Sequence, residues 1–139
     1  MPGHGFEMNN LHSAAQDGDL DRVRELLEQG CDINAFDEDL DWTPLHYAVK
    51  EGHIAVAAYL IERGADVNAH DSDRAGETPL ALVAQECTYE IAKLLVDAGA
   101  DPTIPGWMKL TALDRAAKRK RAEGVRIYEL LRRSAKRSR

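Results

Sequence analysis

Cysteine, aromatic residues and long apolar runs are all scarce in this sequence, and each scarcity removes a class of protein. Two cysteines in 139 residues, Cys31 and Cys87, cannot build a disulfide framework. They also lack the C-x-x-C spacing of redox and metal motifs, so both are expected as reduced, small apolar fillers. That points to a cytoplasmic location, or a nuclear one in a eukaryotic host. No apolar stretch approaches the roughly 18 residues that a membrane-spanning helix needs. Residues 1–8 have neither a basic start nor an apolar segment, and read as a flexible leader rather than a secretory signal. H-E-x-x-H, a Gly-rich phosphate loop and G-x-S-x-G are missing as well. Asp37-Glu38-Asp39-Leu40-Asp41 begins like a calcium loop. Trp42 then stands where the turn glycine is required, and Ala48 where the closing carboxylate is required. No catalytic residue, metal site or cofactor is therefore expected, and the chain reads as a non-enzyme.

What is present is an ordinary soluble composition, 44% hydrophobic and 30% charged, with a formal net charge of −6. That net value conceals a split. Residues 1–108 carry 6 Lys/Arg against 21 Asp/Glu, and residues 109–139 carry 12 against 3. The two parts offer surfaces of opposite sign to partners.

Self-similarity at a fixed period is the dominant signal. Leu11-His12-Ser13-Ala14-Ala15-Gln16-Asp17-Gly18 aligns with Leu45-His46-Tyr47-Ala48-Val49-Lys50-Glu51-Gly52. Leu80-Ala81-Leu82-Val83-Ala84 and, more weakly, Leu113-Asp114-Arg115-Ala116-Ala117 follow, the leading leucines lying 34, 35 and 33 residues apart. A second apolar stretch comes after each of the first three, and then a glycine: Gly30, Gly64 and Gly99. Thr43-Pro44 and Thr78-Pro79 suit a helix start, since threonine caps and proline loses nothing at the first helical position. Leu45, Ala48 and Val49 form a narrow stripe at i, i+3, i+4. Asn9-Asn10 stands where Thr-Pro would, and Asn is also expected to cap. A single helix pair of this kind cannot bury its own apolar side, but stacked pairs can.

Thr43-Pro44-Leu45-His46-Tyr47-Ala48 fits the T-P-L-H-x-A signature, and Gly64-Ala65-Asp66-Val67-Asn68-Ala69 the end-of-repeat segment, of the ankyrin-repeat family. The sequence resembles that family over about residues 9–133. The resemblance implies an all-α solenoid of four stacked helix-turn-helix repeats with hairpin finger loops. The repeats are expected near 9–41, 42–76, 77–109 and 110–133, within one domain over 9–139 and before a basic tail at 134–139. It implies that His12 and His46 hydrogen-bond backbone and tie neighbouring loops together. It also implies a monomer that works as a protein-binding adaptor or regulator, through its fingers and the exposed side of its first helices.

On that implied face the sequence offers Phe36, Asp37, Asp39, Asp41, Trp42, Tyr47, His70, Asp71, Asp73, Trp107 and Met108 as partner-binding residues, with Glu38 and Glu77 nearby. Aromatic and Met side chains suit interface centres, and the carboxylates would steer a basic protein or peptide. Trp42 and Trp107 are each open to two roles, contact residue or lid over the neighbouring finger. The basic end, Lys118–Arg121 and Arg132–Arg139, is open to three. It can be a solvated capping helix, a patch for an anionic surface or nuclear import, or a nucleic-acid contact. Nucleic acid is disfavoured because no stacking aromatics interleave with the basic residues. An inhibitor or immunity-type protein that blocks a partner enzyme is the remaining alternative.

Overall fold

A computed structural model describes residues 4–71, 73 and 76–137. Eight α-helices occur among them, and no strand: α1 (His4–Asp17), α2 (Leu20–Glu28), α3 (Pro44–Lys50), α4 (Ile54–Glu62), α5 (Pro79–Val83), α6 (Tyr89–Asp97), α7 (Ala112–Ala117) and α8 (Ala122–Arg137). They come two to a sequence repeat, and the fold is the all-helical repeat class expected. The chain divides into two compact units, Met1–Asp66 and Val67–Arg139.

The helix starts follow the threonines. Thr43 and Thr78 are extended, with ψ near 168° and 160°, because a following proline excludes the helical region. Thr78 Oγ1 then accepts from the Ala81 N–H at 3.1 Å, and Thr111 Oγ1 from the Asp114 N–H at 3.0 Å. At Asn9-Asn10 the expectation of a cap fails. No proline blocks the preceding turn there, and α1 runs straight through, so that residues 4–8 of the expected leader are helical.

In the first unit α1 packs on α2 and α3, α3 on α4, and α2 on α4. Leu11, Val23, Leu45, Val56 and Leu60 are all but inaccessible to solvent. In the second, α5 packs on α7, and both α6 and α7 pack on α8, around Leu80, Ile91, Leu95, Ile127 and Leu131. Each such leucine or isoleucine contributes about 1.5–3 kcal/mol by leaving water. The stripe Ile127, Leu131, Ala135 carries α8 to Arg137, with Ser134 and Ala135 buried. Residues 134–137, expected as tail, are therefore helix; residues 138–139 lie outside the described residues.

Polar side chains bind successive turns at fixed places. Asn34 Oδ1 accepts from the Asp66 N–H at 2.8 Å, and Asn68 Oδ1 accepts from the Asp101 N–H at 2.7 Å. The amide nitrogen of Asn68 also donates to the Gly99 carbonyl at 3.2 Å. The end-of-repeat asparagine thus fastens the helix end of the next repeat in both units. His53 Nε2 donates to the Gln16 carbonyl at 2.9 Å, lying so close that a Cβ at Gly18 would meet its ring at 2.7 Å. Only glycine, at φ 73°, fits that turn.

Candidate protein-binding surface

Finger one joins α2 to α3 and is organised around one buried carboxylate. Asp37 Oδ1 accepts from the Leu40 N–H at 3.1 Å and the Trp42 N–H at 3.0 Å. Its Oδ2 accepts from the Tyr47 hydroxyl. The Asp37 N–H closes the finger by donating to the Trp42 carbonyl at 2.9 Å. Burial pushes the Asp37 pKa up, but the Tyr47 hydroxyl and the two amides outweigh it, leaving the carboxyl below its ordinary value. Tyr47 moves up, through burial and the hydrogen bond to Asp37. Asp37 and Tyr47 therefore build the finger instead of standing exposed on it.

The Trp42 ring stacks on His46 at 6.2 Å between centroids and meets Tyr47 edge-on at 5.0 Å. His46 Nδ1 accepts from the Thr43 N–H at 3.0 Å, and His12 Nε2 donates to the Ala35 carbonyl at 2.7 Å. Both rings bond backbone, as the resemblance implied, His46 at the start of its own helix and His12 across to the loop at Ala35. What remains open on this finger is Phe36, 42% exposed, Leu40, 52% exposed, and the carboxylates of Glu38 and Asp39. Asp41 is half-buried in a left-handed conformation, φ 56°. Between α1 and the finger lies a polar cleft lined by His12, Ser13, Gln16, Asp37, Glu38, Asp39 and Tyr47.

In the second unit, His70 Nδ1 donates to the Asn68 carbonyl at 2.8 Å, and Asp71 Oδ1 accepts from the Asp73 N–H at 3.1 Å. Asp73 itself is exposed; Ser72, Arg74 and Ala75 of finger two lie outside the described residues. Glu77, expected among the exposed carboxylates, is mostly buried. It pairs with Arg115 and accepts from the Trp107 N–H at 3.3 Å. A Cβ on the buried Gly106 would land 1.8 Å from its Oε1. That anchor holds a short 3-10 turn, Trp107–Lys109, whose Met108 and Lys109 take φ of 58° and 60°. Trp107 is 60% exposed and Met108 67% exposed at its tip.

A family profile described as ankyrin repeats (3 copies) matches residues 2–71, and one described as ankyrin repeat matches residues 75–107. This chain belongs to the ankyrin-repeat family. Ankyrin repeats are in general protein–protein interaction modules, typically without enzymatic activity. No curated protein matches the chain as a relative. The fourth repeat of this ankyrin protein lies beyond both matches, and its Arg119 reaches back to the third. Where the third repeat has Cys87 in place of the mid-repeat glycine, the Arg119 guanidinium donates to the Ala84 and Cys87 carbonyls at 3.3 and 2.8 Å. Sequence reasoning missed Arg119, Asn34 and Asn68. The recurrence of asparagine after Gly30 and Gly64 was the available signal for the last two. No helix among the described residues is long and apolar enough to cross a membrane.

Proposed function

We propose that this chain binds a basic segment of a partner protein through its fingers, acting as a monomeric, non-enzymatic adaptor or regulator in the cytoplasm. The observation that carries the reading is the tip of finger three. Trp107 and Met108 stand 60% and 67% exposed on a turn held from below by Glu77 and Gly106. An exposed aromatic on a pre-ordered backbone loses little entropy on binding, which favours it as an interface anchor. The basic character of the partner rests on charge. Glu38 and Asp39 border the cleft of the first unit, and Asp73 is exposed on finger two. Each unit supplies its own contact: an acidic cleft in the first, an apolar tip in the second.

Capture from an extract of the source cells, followed by measurements on the purified partner, tests this reading. Trp107→Ala with Met108→Ala should weaken binding by about 30-fold, the value of one desolvated anchor of about 2 kcal/mol. Trp42→Ala, which removes a ring packed on His46 and Tyr47, should lower stability more than affinity. Asp39→Asn with Asp73→Asn should slow association and flatten its salt dependence. A captured partner indifferent to both sets of changes would remove the finger face from the argument.

A further inference from the structure

Tyr89, the first residue of α6, and the outer side of α8 enclose a shallow groove that uses none of the finger residues. Its walls are Tyr89, Val125, Arg126, Glu129, Leu130 and Arg133. Val125 is 52% exposed and Leu130 half-buried, an apolar strip with nothing packed over it among the described residues. The Arg126 guanidinium lies over the Tyr89 ring at 4.1 Å. A guanidinium laid on a ring is held in place while its N–H edges stay available for a carboxylate.

The acidic groups around the groove are already engaged. Glu129 pairs with Arg132 at 2.8 Å. Glu123 accepts from the Tyr89 N–H at 3.2 Å and lies 3.9 Å from Arg119. Arg126 and Arg133 make no ion pair among the described residues. The segment 109–139 that carries the strip holds 12 Lys/Arg against 3 Asp/Glu.

We propose that this groove docks an acidic segment of a partner protein, an apolar side chain lying on Val125 and Leu130 between carboxylates bound by Arg126 and Arg133. Charge complementarity selects the acidic occupant, and the aliphatic floor selects a peptide over a nucleic acid. A nucleic acid would need open aromatic faces for its bases. Tyr89 is the one aromatic ring of the groove, and one of its faces is covered by Arg126.

Selection of random dodecapeptides on the full chain tests the proposal, with counter-selection on Arg126→Glu/Arg133→Glu. Expected winners carry Asp or Glu on both sides of Leu, Ile or Phe. By fluorescence anisotropy their affinity should fall at least about tenfold in the Glu variant and in Val125→Asp, and fall less in Arg126→Lys/Arg133→Lys. The three substituted residues are exposed, and circular dichroism should show helix content unchanged. The finger variants Trp107→Ala and Asp39→Asn should leave these peptides bound, so that failure here and failure of the finger reading are distinguishable. Winners without acidic residues, or equally bound by the Glu variant, would overturn the proposal. So would oligo-dT bound more tightly than the peptides at physiological salt, or a concentration-dependent dimer abolished by the same Glu variant.

Discussion

Asp37 and Tyr47 lie ten positions apart and exchange one hydrogen bond that holds finger one in shape. Removing only the hydroxyl, in Tyr47→Phe, leaves Asp37 Oδ2 buried without its donor, which costs about 1–3 kcal/mol. Urea unfolding at neutral pH measures it. The pH dependence follows from the two shifts. Asp37 is lowered from 3.8, so its contribution is complete above that value and fades as pH falls through the folded pKa. Tyr47 is raised from 10.0, so its contribution is complete below that value and fades as pH rises through the folded pKa. Wild type should therefore lose stability at both extremes, and Tyr47→Phe should lose less at each. Parallel pH profiles for the two proteins would show that the bond is not what tunes these groups. The carboxylate run Asp37–Asp41 was legible as a charged finger. That its first member would turn inward was not, because the decision belongs to Tyr47 in the next repeat.

At the scale of the helix pair, the third repeat departs from its neighbours, and its repair comes from the fourth. Cys87 replaces the glycine that ends the first helix of the first two repeats, and two carbonyls of that turn accept from Arg119. Burial pushes the Cys87 thiol up to about 11, against the pull of the same guanidinium. In the folded chain at pH 8 the thiolate fraction is then on the order of one in a thousand, so Cys87 should react with Ellman's reagent only through opening of the turn. Cys31, half-exposed, should react first. Arg119→Met leaves the carbonyls unpaired and opens the turn more often. The slow thiol should react about tenfold faster, even though losing a nearby cation alone would slow it. An unchanged rate would mean that Arg119 is not the repair. The helix pairs themselves were readable, since Thr-Pro starts, leucine stripes and terminal glycines are local signals. Arg119 was not, because it acts 32 to 35 positions from the carbonyls it satisfies.

Across the whole molecule the repeat explains packing, while charge varies along the chain with no such period. The first unit holds 4 Lys/Arg against 14 Asp/Glu, and the second 14 against 10. Within the second, most cations fall on α7, α8 and the turn between them. The core positions of all four repeats share leucine and alanine whatever the sign of the surface around them, so partner choice is free to change without altering the stack. A protein with net charge −6 and evenly spread charge would bind only an anion exchanger at neutral pH. This one presents concentrated fields of both signs, and resins sample local patches within about a Debye length of 8–10 Å rather than the net charge. It should therefore be retained at low salt by cation-exchange as well as anion-exchange resin. Changing Arg126, Arg133 and Lys136 to Glu should abolish the first and strengthen the second, with the helix content unchanged. If the native chain passes straight through a cation exchanger at low salt, its basic helix is neutralised by its own carboxylates, and the acidic segment proposed for the α8 groove loses its electrostatic basis.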